Sequence, residues 1–127
     1  RLHANSFKSV VLINKNSTYE SVDLPYQAQL SSINDIIVED YNNDGNIDLL
    51  VAGNLFTSEV ETPRNDASNG LMLIGNGDGT FKPKARKESG FFAPSDAKKL
   101  NLIKIKNEQG VIVGNNNDLM QYFKRIK

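Results

Sequence analysis

Apolar residues in this chain come as short, β-branched-rich runs bounded by turn formers, the pattern of strands rather than of long amphipathic helices. Phe7 to Ile13 predicts a hydrophobic strand, Asn14 to Ser17 a turn, and Thr18 to Leu24 an alternating strand that closes a hairpin ahead of Pro25. Residues 1–6 read as a linker or frayed end, and 25–32 as a polar connection without periodicity. Ile33 to Glu39 and Ile47 to Gly53 predict two strands joined by an acidic loop. Leu55 to Asn69 has no apolar repeat and predicts a long loop, a class of segment that tends to be functional or mobile. Gly70 to Ile74 resumes a strand, Gly75 to Gly79 is a glycine-rich turn, and Thr80-Phe81 returns to extended structure before Pro83. Residues 84–98 read as irregular, with Gly90-Phe91-Phe92-Ala93-Pro94 as an aromatic anchor and one helical turn near Ser95 leading into a strand. Leu100 to Ile105, Gly110 to Gly114 and Asp118 to Ile126 are the last predicted strands, separated by turns at 106–109 and 115–117.

Overlaying these pieces brings out an internal repeat. Val11 to Tyr19 matches Met72 to Phe81 with one residue inserted, and Leu50-Val51-Ala52-Gly53-Asn54 matches Val111-Ile112-Val113-Gly114-Asn115, both at an offset of about 61 residues. Each unit holds four strands, two joined by the acidic loop and two by the glycine-rich turn. Four antiparallel strands per repeat predict an all-β fold of propeller-blade type, in which each small sheet buries both faces against its neighbours. The phase predicts about two blades: an outer pair at 7–24, a complete blade at 33–86, and a terminal blade at 97–126 that lacks its fourth strand. A blade left open in this way calls for a strand from the rest of a larger propeller, from another copy or from a partner chain.

Length and charge narrow the classes of function. With 127 residues the chain makes one ordinary domain, and 15 Lys plus Arg against 15 Asp plus Glu leaves no net field to attract nucleic acid or an anionic membrane. Basic residues gather at Lys82 to Lys87, Lys98 to Lys106 and Lys124 to Lys127, and read as solvated strand faces. No apolar run reaches the roughly 18 residues that span a bilayer. The absence of cysteine removes disulfides, zinc-thiolate sites and thiol catalysis. The chain opens Arg1-Leu2-His3 without an initiator methionine, as expected of a processed product or an excised fragment.

The acidic loop carries the sharpest chemical signal. Asp40, Asn42, Asp44, Asn46 and Asp48 stand at loop positions 1, 3, 5, 7 and 9, with Gly45 at position 6, where a tight turn needs positive φ. Calcium takes about six to eight oxygens from carboxylates, amides and carbonyls, so clustered aspartates that would otherwise repel one another become ligands. An EF-hand requires flanking helices and a glutamate at position 12, and here the flanks are strands and position 12 is Val51. The alternative is a merely acidic hairpin loop.

Asp40 to Gly53 resembles the calcium signature of the FG-GAP repeats of integrin alpha-subunit propellers and of bacterial repeat proteins of VCBS and ASPIC/UnbV-like type. Leu73 to Phe81 resembles the Gly-Asp-Gly-Thr-Phe turn that follows the signature in the bacterial members. The resemblance is strongest over 35–54 and 70–83. It implies a multi-bladed propeller in secreted, periplasmic or cell-surface proteins, with structural calcium held by the side chains of Asp40, Asn42, Asp44 and Asp48 and the carbonyl of Asn46. Asn42 departs from the aspartate frequent at its position, which lowers the ligand charge. The second repeat has Lys106-Asn107-Glu108-Gln109 in place of the acidic ladder, which implies a metal-free blade.

Other candidates carry weaker signals. Glu59, Glu61, Arg64 and Asp66 lie in the long loop, either as a solvated acidic insertion or as a ligand-recognition or catalytic loop. Asn76-Gly77-Asp78-Gly79 reads as a glycine turn, with a second cation site as its rival. His3, the sole histidine, sits in the predicted tail, so no histidine-based catalysis is expected. Tyr19, Tyr41, Phe81, Phe91, Phe92, Tyr122 and Phe123 read as packing, or as a carbohydrate platform if two are exposed together. The resulting reading is a calcium-binding extracellular module that binds or scaffolds a protein or carbohydrate, without catalysis of its own. Its rivals are part of a polysaccharide-active propeller enzyme and a homo-oligomer built by edge pairing.

Overall fold

In the computed structural model, which describes residues 2–126, nine strands form three antiparallel sheets. β1 (Val10–Lys15) and β2 (Thr18–Asp23) make a hairpin closed by Asn16 and Ser17, both at positive φ, the twist that suits a two-residue connection. A short 3-10 helix at Tyr26–Gln29 follows, and the Gln29 amide ties it to the hairpin by accepting from Ser9 N–H (2.8 Å) and donating to the Ser9 and Leu24 carbonyls. β3 (Asp35–Glu39), β4 (Asp48–Ala52), β5 (Leu71–Gly75) and β6 (Phe81–Lys84) form a four-stranded meander in chain order. After the one-turn helix α1 (Arg86–Ser89), closed by Gly90 at φ 68°, β7 (Ala97–Ile105), β8 (Glu108–Asn115) and β9 (Gln121–Lys124) make the third sheet. Among the described residues, no helix is long and apolar enough to cross a membrane.

β4 is the centre of the molecule, buried at all 5 of its positions. Successive side chains of a strand point to opposite faces, and both faces here meet another layer. Leu50 and Ala52 join Ile37, Phe91, Ala97, Leu100, Val111 and Val113 in the core shared with the three-stranded sheet. Leu49 and Val51 join Leu24, Ala28 and Leu73, with Val11 and Phe81 at the margin, in the core shared with the first hairpin. A strand covered on both sides must be apolar throughout, which is why this stretch reads as an unbroken hydrophobic run rather than an alternation. The first sheet, only two strands wide, leaves Ile36 44 % and Val38 55 % exposed on the edge strand β3.

Several boundaries differ from those the sequence predicts. The first strand starts at Val10 rather than Phe7, which stands exposed in the leading segment. β6 runs through Pro83, which an edge strand tolerates because one row of its N–H groups has no ladder partner. No helical turn forms at Ser95. The chain is extended from Ala97, and the helical turn falls at Arg86–Ser89 instead, where Gly90 can adopt the left-handed closing conformation. Of the aromatic anchor, Phe91 is buried edge-to-face against Phe123 (centroids 4.8 Å), whereas Phe92 is exposed beneath the Arg86 guanidinium.

Asp35 stitches the second and third sheets together. Its Oδ2 accepts from Leu100 N–H (2.8 Å) and lies 2.9 Å from the Lys99 ammonium. Burial pushes this carboxyl up, but the Leu100 N–H, the Lys99 ammonium and the Ile36 N–H together hold it below its ordinary value of 3.8. A depressed folded-state pKa contributes stability that is present above the unfolded value and is lost as pH falls through the folded one. Acid below about pH 4 should therefore loosen this seam. Asp35→Asn should cost about 1–2 kcal/mol at neutral pH and flatten the acid limb of a urea-unfolding series.

Candidate metal centre

The predicted ligand loop leaves β3 at Glu39 and rejoins the sheet at Asp48. Its curl is made by its own side chains. Asp40 Oδ1 and Asn42 Oδ1 both accept from the single N–H of Asp44 (3.2 and 3.0 Å), and Asp40 Oδ2 accepts from Gly45 N–H (2.9 Å). Asn42 Nδ2 donates to Asp44 Oδ2 (2.8 Å), and Asp44 Oδ1 accepts from Asn46 N–H (2.7 Å). Gly45 at φ 87° and Asn43 at φ 58° supply the left-handed residues this curl needs. No atom lies within 4 Å of the place a Cβ would occupy on Gly45, so glycine is required there for its backbone freedom, not for space.

The arrangement brings hard oxygens from positions 1, 3 and 5 over one short stretch of backbone. Asn46 N–H and the Asn42 amide hold the Asp44 carboxyl below its ordinary value, which favours the charged form a cation would meet. Among the described residues, no three acidic, histidine or cysteine side chains gather into a metal-binding group. The loop's side-chain oxygens are the carboxylates of Asp40 and Asp44 and the amide of Asn42, hard donors rather than the sulfur or imidazole of a zinc or redox site.

Asp48 does a different job from the three residues above it. Fully buried, it accepts from Tyr41 N–H through Oδ2 (2.9 Å) and from Gly75 N–H through Oδ1 (2.9 Å). One carboxylate thus clamps the start of the acidic loop to the start of the glycine-rich turn. The two turns touch so closely that a Cβ on Gly75 would lie 2.1 Å from the Ile47 carbonyl oxygen, and one on Gly77 2.5 Å from Asn46 Oδ1. Within the glycine-rich turn, Asp78 is occupied by Thr80, accepting from both its N–H (2.9 Å) and its hydroxyl (2.5 Å).

The long loop does not join this centre. Glu59, Glu61, Arg64 and Asp66 are exposed, and Arg64 pairs locally with Asp66 (2.7 Å) and stacks over Phe56. An open cleft of about 1200 Å³ lies instead beside the acidic loop, lined by Tyr41, Asn42, Lys104, Glu108, Lys124 and Arg125 among others. Burial, then the Glu39 carboxylate, pushes the Tyr41 hydroxyl up to about 12, so it stays protonated at neutral pH.

Sequence reasoning missed Asn54, the buried hub of the neighbouring polar network. Its Oδ1 accepts from Ser31 Oγ (2.8 Å) and Ser68 N–H (3.0 Å), while Nδ2 faces the carbonyls of Ser68, Pro94 and Ser95 at 2.9–3.1 Å. The Asn54 carbonyl accepts from Asn34 Nδ2 and from the Lys98 ammonium, which also neutralises buried Asp96 at 2.6 Å. These partners lie up to 44 residues away in sequence. The available signal was the repeat itself, since Asn54, two residues past β4, matches Asn115 at the end of β8, and Asn115 Nδ2 likewise donates to a main-chain carbonyl, that of Leu119 (2.7 Å). No protein-family profile, curated protein or solved structure matches this chain.

Proposed function

We propose that this chain is a calcium-stabilised segment of a β-propeller that serves as a binding or scaffolding module outside cells. The observation that carries the reading is a four-stranded meander pressed between two other sheets, with an oxygen-rich loop at its first hairpin. Stacked sheets of this size are what radial repetition produces, and the 2-4-3 grouping of strands fits an outer pair, one whole blade and a terminal blade short of one strand. The side chains of Asp40, Asn42 and Asp44 and the carbonyl of Asn46 would hold the ion, with Asp48 clamping the loop beneath it. Bound there, calcium supplies positive charge that offsets the clustered carboxylates and fixes the hairpin. Free calcium is abundant outside cells, and a chain without cysteine gains from it the rigidity that disulfides would otherwise give.

Calorimetric titration with calcium tests this reading, with saturable binding at one site as the expected result. Asp44→Ala should abolish that binding and lower thermal stability in millimolar calcium by about 2–3 kcal/mol, the gain expected when ligand exceeds its Kd about a hundredfold. In chelator the same substitution should have little effect. Equal loss in both conditions would refute a structural ion at this loop. The exposed apolar residues Ile36 and Val38 on edge strand β3 favour a second reading, in which another sheet or another copy of the chain covers that face. Solution mass by light scattering distinguishes a monomer from such a pair.

A further inference from the structure

We propose that Arg125, on the segment leaving β9, is a positioning residue for the calcium loop and makes calcium binding dependent on docking of the terminal sheet. The inference rests on the calcium reading above. Arg125 reaches across 84–85 residues of sequence to donate from Nη2 to the carbonyls of Tyr41 (2.8 Å) and Asp40 (3.0 Å). Its Nη1 faces Glu39 Oε2 and Gln109 Oε1, both at 3.4 Å, and the guanidinium lies over the Tyr41 ring at 5.2 Å. The backbone is pinned as well, since Arg125 N–H donates to the Gln109 carbonyl (2.9 Å).

Asp40 and Tyr41 are the first two residues of the loop, where the peptide planes decide whether the Asp40 side chain faces its neighbours at positions 3 and 5. A planar guanidinium with a fork of donors fixes two adjacent carbonyls at once, which an ammonium cannot do with the same geometry. The terminal sheet therefore sets the conformation of a loop in the preceding sheet. Reciprocity of linked equilibria requires the converse: an ion that favours the ordered loop also favours the docked terminal sheet.

The test uses the full chain and two readouts: calcium affinity by calorimetry, and hydrogen exchange of β8 and β9 amides with calcium and with chelator. In the parent protein, calcium should slow exchange in β8 and β9. Arg125→Ala should weaken calcium binding about tenfold and abolish that slowing, and Arg125→Lys should recover only part of the affinity. Lys124→Ala, which removes an exposed pair with Glu108 from the same strand, should leave affinity unchanged. Should Arg125→Ala fail to fold, Gln109→Ala removes one of the groups that orient the guanidinium and should weaken binding in the same direction. Unchanged affinity in a folded Arg125→Ala, or an equal loss in Lys124→Ala, overturns the coupling while leaving the calcium site standing. Absence of binding to the parent protein overturns the calcium reading itself, and the coupling with it.

Discussion

Asp48→Ala should destabilise the protein by about 3–5 kcal/mol even with calcium chelated. A buried carboxylate that accepts from two main-chain N–H groups leaves both unsatisfied when it is truncated, and each orphaned donor costs about 1–3 kcal/mol. No water reaches these groups readily, since Asp48 is 0 % exposed and Gly75 is buried beside it. Urea unfolding in chelator measures the effect directly. The contrast with Asp44→Ala is the useful part, because that exposed residue should matter only when calcium is present. Asp48→Asn keeps one acceptor but turns an amide N–H toward the other donor, so it should recover less than half the loss. A cost below about 1 kcal/mol for Asp48→Ala would mean that Tyr41 and Gly75 find other acceptors and that the two turns are not clamped through this side chain.

Asn54→Ala should cost a similar amount, about 3–5 kcal/mol, with a local signature of its own. The truncation strips an acceptor from Ser68 N–H and from the Ser31 hydroxyl and leaves the carbonyls of Ser68, Pro94 and Ser95 without their shared donor. Those groups hold the far end of the 55–69 loop against the segment leading into β7. Proteolysis within that loop should therefore accelerate before global unfolding does, which limited digestion followed by mass measurement would detect. Asn54→Asp should be no better, because it discards every bond the side chain donates and buries a charge among the carbonyls of Ser68, Pro94 and Ser95. If cleavage in the loop is unchanged while global stability falls, the network serves the core rather than the loop.

The hairpins were legible because their signals are local. Asn14 to Ser17 between apolar runs, the glycine turn at 75–79 and the unbroken Leu49 to Ala52 run each carry their meaning within a few residues. The oxygen ladder of the acidic loop was legible for the same reason, and the structure curls that loop through those very side chains. What stayed hidden depends on partners distant in sequence. Asp48 reads as one more ligand until Gly75 is seen to donate to it across 27 residues, and nothing near Arg125 announces Asp40 and Tyr41. The start of the strand at Ala97 was placed late, at Leu100, because Ser95 and Lys98 suggest a helical turn in isolation. In the fold Lys98 and Lys99 span the seam, Lys98 donating to the Asn54 carbonyl and Lys99 pairing with Asp35.

The double-faced burial of β4 has an evolutionary corollary. A peripheral strand such as β9 has alternate positions open to solvent and can drift at every second residue, whereas at Asp48 to Ala52 odd and even sites answer to different neighbours. A saturation scan should find there an uninterrupted block of five intolerant codons, narrow in sequence but read from two directions at once.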